Sequence, residues 1–414
     1  MRPGWSTTTL GRVGRFHMGT TFPHAYQGAT QGDLPFIKVS DFPRADRLGV
    51  LDGANNWVDR RTARQLGARI VPRGSILYAR VGAALLLNQR CIAGRNCIVD
   101  DNVRAFEPHY GDPRFWRYLM LLLDMAKITN PGPVPSVSER QVAALPVPLP
   151  SAEEQRRIAD FLDAETARID RLTSMRDRQS KLLDDRRRSQ LSELVASLTQ
   201  RFGSIRLRHM SMRIEQGWSP QCEDRLAEYG EWGVVKAGCV NSGRFDPIQH
   251  KALPADVEPR REYVLKRGDL LMSRASGSID LIGSVGVVGE ISDNLLLCDK
   301  VYRIRLDWTR AQADFVAHVL RGHQAREHIK IGISGAEGMA NNLPTSVVKD
   351  LLLPNVPVSK QASISDSLHL SAESVARARE SLHRSVQTLT ERRKALITAA
   401  VTGQFDVSTA SGRN

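Results

Sequence analysis

At 414 residues the chain is too long for one ordinary domain and long enough for two or three with real cores. Lys and Arg number 58 against 45 Asp and Glu, giving a net charge of +13 and a pI near 9.8, a balance that favours a polyanionic partner. The five cysteines, Cys91, Cys97, Cys222, Cys239 and Cys298, form no C-x-x-C pair, which speaks against a zinc knuckle or a disulfide framework and suits a reducing cytoplasm. No apolar run approaches the roughly 18 residues that span a bilayer, and the N-terminus lacks an apolar signal core, so the expectation is a cytoplasmic protein with no membrane partner.

Residues 1–150 read as a mixed domain. The runs Leu34–Ile37, Ser75–Tyr78 and Cys97–Val99 predict strands between Gly and Pro turns, and Pro113 to Lys127 predicts an inward-packed helix. Prolines at 131, 133, 135, 146, 148 and 150 then keep the chain extended. Ser151 with Glu154 predicts a capping box opening a long helix over 151–201, free of Pro and Gly. Its apolar stripe comprises Ile158, Leu162, Ile169, Leu172, Leu183, Leu191 and Val195 on an otherwise charged rod. A second mixed domain follows over 202–357, with strands expected at Trp232–Lys236, Asp269–Met272 and Val285–Val288 and a helix over 311–331. A second long helix is expected over 358–403, its seam carried by Ile364, Leu368, Val375, Leu382, Leu389 and Leu396, several of them seven apart. Residues 404–414 read as a tail, frayed beyond Val407.

The two halves repeat each other. Gln361 less Gln155 gives an offset of 206, and it holds without a gap from Val142 and Val348 to Val195 and Val401, passing through Arg186-Arg187 and Arg392-Arg393. The globular parts repeat as well: Arg73-Gly74 and Arg80 parallel Arg267-Gly268 and Arg274. An internal repeat of this kind means that one unit, a domain followed by a helix, was used twice. Two such helices can bury their stripes by pairing with each other; the alternative is that each packs on its own domain, although neither domain is expected to cover so long a stripe. The fold class is therefore α+β, two similar mixed α/β domains separated by two long helices that pair as an antiparallel coiled coil.

No catalytic constellation emerges. There is no G-x-x-x-x-G-K-[ST] loop, and Gly283, Gly286 and Gly289 fail the dinucleotide template. Asn130 to Pro133 lacks the second proline and the aromatic of an amino-methyltransferase loop. His318, His323 and His328 fall five apart on a predicted helix, which turns each ring away from the last, so they read as solvated or phosphate-facing rather than as metal ligands. No metal site and no cofactor site is expected on this chain.

Candidate DNA-binding residues follow from the repeat. Arg80 and Arg274 each end an apolar strand beside small residues, where a long donor approaches a polyanion closely. Lys38 and Lys236 are placed alike in the two halves. Ser40, Arg73, Tyr78, Arg244, Arg267, Ser273 and Lys300 complete the candidate set. The charged runs Arg186–Arg188 and Arg392–Lys394 read as solvated or partner-facing helix surface.

Taken in order, these motifs resemble the specificity subunit of type I restriction–modification systems. The helix-opening signature appears as LPVPLPSAEEQRRI from Leu145 to Ile158, and the closing signature as AAVTGQFD from Ala399 to Asp406. The recognition-domain pattern appears from Gly268 to Arg274 and from Gly230 to Lys236. The first domain departs from it, with Ser75 where the second has Asp269. The resemblance implies two target-recognition domains, each reading half of a split, asymmetric DNA sequence, with the helices setting the unread gap. It implies double-stranded DNA, two methyltransferase subunits and restriction/translocase subunits as partners. S-adenosylmethionine, ATP and Mg would reside on those partners, and this chain would supply no bond-breaking groups. The alternative is a coiled-coil scaffold that organises protein partners with incidental DNA contact. A stand-alone modification enzyme would need a cofactor site that the sequence does not show.

Overall fold

A computed structural model describes residues 4–130, 133–291, 294–333 and 341–407. Pro131 and Gly132 of the expected extended connector, and the tail beyond Val407, lie outside the described residues. Two compact units make up the chain: Met1–Asp177 with His383–Asn414, and Arg178–Leu382. Each long helix therefore gives one half to each unit.

Unit 1 is built on a five-stranded sheet in the order Gly14–Met18, Val103–Pro108, Ile76–Ala79, Arg90–Ala93, Val50–Leu51. The strand expected at Ser75–Tyr78 runs Ile76–Ala79 and is buried on both faces. Side chains alternate along a strand, so Ile76 and Tyr78 enter the core beneath the helix Pro113–Leu122, while Leu77 enters a second cluster with Phe42 and Val99. A three-stranded sheet, Trp57–Val58, Leu34–Ile37, Ile98–Val99, has one parallel pairing, Ile37 with Val99. Ser6–Thr9 pairs with Pro146–Leu149 and closes the domain just before the long helix starts.

Unit 2 repeats this plan. Its four-stranded sheet runs Ser211–Gln216, Val301–Leu306, Leu270–Ser273, Val285–Val287. A three-stranded sheet, His250–Ala252, Gly233–Val235, Leu295–Leu296, again has one parallel pairing, Val234 with Leu296. Ser204–Arg206 pairs with Leu352–Pro354 at the matching closure. The helix expected over 311–331 is two helices, Ala313–Leu320 and His323–Gly332, interrupted at Gly322. In both units the first sheet strand ends on a glycine that must have no side chain. A Cβ on Gly19 would collide with the Asp100 carbonyl, and one on Gly217 with the Leu297 carbonyl.

The long helices run Ala152–Phe202 and Val358–Val401. The first opens on the expected capping box: the Glu154 N–H donates to the Ser151 hydroxyl at 3.2 Å, and the Ser151 N–H donates to the Glu154 carboxylate at 3.3 Å. A buried glutamine then locks each domain to its helix. The Gln155 Oε1 accepts from the Asp112 N–H, which caps the helix Pro113–Leu122, and its Nε2 donates to the Pro150 carbonyl. In unit 2 the Gln361 Oε1 accepts from the Gln312 N–H, which caps Ala313–Leu320, and its Nε2 donates to the carbonyls of Arg310 and Val356, all at 2.8 Å. Helix ends leave backbone N–H groups unsatisfied, and a side-chain amide answers them here.

The apolar stripes are shared out rather than forming one unbroken seam. Ile158, Leu162 and Ile169 are buried, and Leu172, Leu183, Ile364, Leu368, Val375, Leu382, Leu389 and Leu396 are half-buried. In unit 1 the domain core takes in Ile158 and Leu162 from the first helix and Ile397, Ala400 and Val401 from the second. In unit 2 it takes in Val195 and Leu198, with Ile364 packed against it. The helices also meet each other, in antiparallel sense: in unit 1 Phe161 packs on Phe405 with ring centroids 5.6 Å apart, while Asp170, further along, pairs with Arg393 at 3.3 Å. In unit 2 Asp184 pairs with Arg379 at 3.3 Å, and Leu183 and Leu382 line one gap between the helices. Phe405 and the buried Val407 bind the start of the expected tail to unit 1.

Candidate nucleic-acid interface

Arg80 and Arg274 occupy the same place in the two domains, and the backbone fixes both in the same way. The Arg80 N–H donates to the Asn102 carbonyl at 2.9 Å, and the Arg274 N–H to the Lys300 carbonyl at 2.8 Å. Their own carbonyls accept from the N–H of Val137 at 3.0 Å and of Leu343 at 2.9 Å. Each guanidinium folds over the turn beside it. The Arg80 Nε donates to the Asp101 carbonyl at 2.9 Å, and an Arg274 Nη to the Asp299 carbonyl at 3.2 Å. A guanidinium has five N–H donors, so neither contact exhausts it. Both residues are half-buried, each at the end of its strand.

Further cations gather on these turns. In unit 1, Lys38 follows Ile37, whose carbonyl accepts from the Asp100 N–H, so it sits beside the same turn. Its ammonium donates to Gln27 at 2.8 Å and lies 5.1 Å from the Phe22 ring. Arg104, on the adjoining strand, donates to the carbonyls of Asp101 and Val103. Burial, and next the charge of Arg80, push the Arg104 guanidinium below its ordinary pKa, so two cations share one strand end. Sequence reading missed Arg104; the signal was its position facing Tyr78 across the ladder. In unit 2, Lys300 is exposed on the turn and Ser219 bonds to Asp299 beside it. Lys236 lies two residues beyond the parallel Val234–Leu296 pair, which brings it level with Cys298 at the start of that turn. Ser40 is exposed in the turn after Lys38.

The remaining candidates lie elsewhere. Tyr78 and Ser273 are fully buried, with hydroxyls that have no hydrogen-bond partner, and belong to the domain cores. Arg73 and Arg267 precede the strands that Arg80 and Arg274 end, and so lie at the opposite edge; Arg267 pairs with Glu290 at 3.2 Å. Arg244 lines a cleft against the long helices. His323 and His328 are exposed, but His318 is buried, which corrects the solvated reading for that residue: it sits on the inward face of Ala313–Leu320. The cysteines are free, and all but the half-buried Cys222 are buried. Among the described residues no cluster of three or more His, Cys, Asp or Glu could hold a metal, and no helix is long and apolar enough to cross a membrane.

A domain carrying a cationic turn thus occurs twice, each copy locked to a long helix by a buried glutamine. Residues 3–178 match the family model described as the type I restriction modification DNA specificity domain. Among curated proteins, the chain is 26% identical over 230 residues to the type I restriction enzyme EcoKI specificity subunit of Escherichia coli, covering 53% of this chain and 48% of that one. It is 28% identical over 138 residues to the EcoEI specificity subunit of Escherichia coli, covering 33% and 23%. The matched stretches thus span less than half the length of these relatives. Among solved structures, a chain from work on the complex assembly and conformational transition of the type I R-M system superimposes with a TM-score of 0.74 at 17% identity, over 98% of this chain and 99% of that one. The HsdS subunit from Thermoanaerobacter tengcongensis superimposes with a TM-score of 0.53 at 17% identity, covering 97% and 98%. The family model thus matches the first domain and the opening of the first long helix, and the solved structures share the fold of the whole chain.

Proposed function

We propose that this chain is the sequence-specific DNA-binding subunit of a type I restriction–modification complex. Each domain reads one half of a bipartite, asymmetric target, and the two helices set the gap between the halves. The observation that carries this reading is the duplicated arginine, Arg80 and Arg274, held at a strand end by the same pair of backbone bonds in both units on a chain of net charge +13. Lys38, Arg104, Lys236 and Lys300 add positive potential around those strand ends.

A single domain reading a few base pairs discriminates weakly, since each mismatch costs about 1–3 kcal/mol. Joining two readers makes the second encounter intramolecular, and a stiff joint rejects half-sites at the wrong separation. The chain contributes recognition and no bond-breaking groups. Two methyltransferase subunits dock on the helices and bring S-adenosylmethionine, and a restriction/translocase subunit brings ATP and Mg. The assembly works in the cytoplasm.

Competition binding tests this directly, with the methyltransferase partner present and random duplex as competitor at raised salt. A retained preference for the target supports the reading, and its loss favours the scaffold alternative. Methylation mapping of the host genome should show a two-part motif with adenine marks in both parts. Arg274→Ala should weaken recognition of one half-site only, by about 1–3 kcal/mol. An equal loss on all DNA, with a shallower salt dependence, would make Arg274 a phosphate contact.

A further inference from the structure

The two units close the joint between domain and helices by different chemistry. In unit 1 the joint is saturated with ion pairs. Arg114, two residues beyond the cap Asp112, meets the carboxylates of Asp112, Asp160 and Asp163 at 2.7 to 2.8 Å. The Tyr118 hydroxyl donates to Asp163 at 2.8 Å, and Arg393 pairs with Asp170 at 3.3 Å.

In unit 2 the matching positions have lost most of these carboxylates: Asp160 keeps its counterpart in Asp366, but the cap Asp112 becomes Gln312. At the offset that relates Gln155 to Gln361, Asp163 becomes His369, Asp170 becomes Ala376, and Arg393 corresponds to Arg187. Counting from the caps, Arg114 becomes Asp314 and Tyr118 becomes His318. A cleft of about 700 Å³ opens there, lined by five guanidiniums, those of Arg187, Arg188, Arg244, Arg321 and Arg379. Its carboxylates are Asp184 and Asp314, and Asp184 is taken by Arg379 at 3.3 Å. The Nε of Arg321 is buried with no hydrogen-bond partner, and one Nη reaches only the Val285 carbonyl at 3.3 Å. Burial, then the charges of Arg321, Arg187 and His369, push the buried His318 down to about 4, as expected where positive charge goes unbalanced. Concentrated guanidinium donors in a partly enclosed cleft suit a tetrahedral oxyanion.

We propose that this cleft of unit 2 is an oxyanion site that takes a phosphate group, separate from the strand-end turn at Arg274. It does not rest on the function proposed above. The phosphate comes either from a free polyphosphate compound or from a nucleic-acid backbone.

Titration calorimetry of the full chain with inorganic pyrophosphate, at fixed ionic strength against a chloride control, tests it. Saturable one-to-one binding is expected. Arg187→Gln and Arg244→Gln, substitutions at partly or fully exposed positions, should each weaken it about tenfold, the usual size of one lost charged hydrogen bond. Ala376→Asp restores the carboxylate that unit 1 carries and should weaken binding likewise, with the thermal unfolding midpoint unchanged. Displacement of pyrophosphate by a duplex would assign the site to the DNA backbone, and simultaneous binding would assign it to a free phosphate compound. No saturable binding beyond the chloride control, or binding indifferent to all three substitutions, overturns the proposal.

Discussion

Units 1 and 2 hang opposite polar pairs on the same sheet. On the first strand of unit 1, His17 meets Glu107 of the neighbouring strand at 2.7 Å. At the matching positions unit 2 has Glu215 and Arg305, 3.3 Å apart, with the carboxylate moved to the first strand. Beside them, Ala105 of unit 1 is replaced by Arg303 and Ser75 by Asp269. Arg303 is 1% exposed; it bonds Glu215 at 2.6 Å and the carbonyls of Val264 and Glu262, and lies 3.5 Å from Asp269. Ser75 is buried with a hydroxyl that has no hydrogen-bond partner. The order of the four shared strands, the glycines that avoid a collision and the buried glutamines stay the same while the polar groups change. Backbone closure and apolar packing therefore specify the scaffold, and polar identity is free to diverge upon it.

The largest expected effect comes from breaking that difference. Arg303→Ala strands Glu215 and Asp269 without their buried partner, and losing one member of such a group costs about 3–5 kcal/mol. Scanning calorimetry should show the loss in the unit 2 transition, with unit 1 unmoved. Next come the shared glutamines. Replacing one by Leu leaves a capping N–H and a carbonyl unanswered, worth about 1–3 kcal/mol. Gln361→Leu should cost more than Gln155→Leu, because Gln361 makes three bonds at 2.8 Å while Gln155 makes two at 3.2 Å. Equal losses would mean that the two clamps carry the same load despite their geometry.

Smallest near neutrality is a pH effect confined to unit 2. His318 takes its proton at about 4 when folded, against an ordinary 6.5, with Arg321, Arg187 and His369 opposing the charge. As pH falls below 6.5 the unfolded chain binds the proton first, so unit 2 loses stability progressively towards pH 4. Glu215 contributes in the same direction only lower down: burial would raise its carboxyl, but Arg303 and Arg305 outweigh that and hold it below 4.5. His318→Asn should flatten the unfolding midpoint between pH 6.5 and 5, above the carboxylate range. Tyr118 of unit 1, pushed up to about 12 mainly by burial, ionises nowhere in that window. A slope unchanged by His318→Asn would remove His318 as its cause.

Much of the scaffold was legible in the sequence because repetition and periodicity are local signals. The strands at Leu34, Ile76, Gly233 and Leu270, the Ser151–Glu154 cap and both long helices all announce themselves within a few residues. The burial of the stripe ends was not legible. Whether Ile158 faces a helix or a domain depends on what stands opposite, and periodicity is blind to that. Arg80 and Arg274 were legible as a duplicated pair ending a strand. The burial of Tyr78 and Ser273 was missed because both faces of that strand are covered, so alternation exposes neither. Arg104 was hidden because its importance comes from a neighbouring strand. The cleft around Arg321 was hidden because it arises from the loss of distant carboxylates.

The most direct measurement bears on the proposal that the two long helices set the gap between the half-sites. Duplexes in which the gap between half-sites varies one base pair at a time would be bound by the full chain with the proposed methyltransferase partner, and by a chain lacking seven residues from each helix. Seven residues shorten a helix by about 10 Å, or about three base pairs of duplex. The native chain should prefer one gap, and the shortened chain should shift to a smaller gap or lose specific binding. An unchanged preference in the shortened chain would contradict the account.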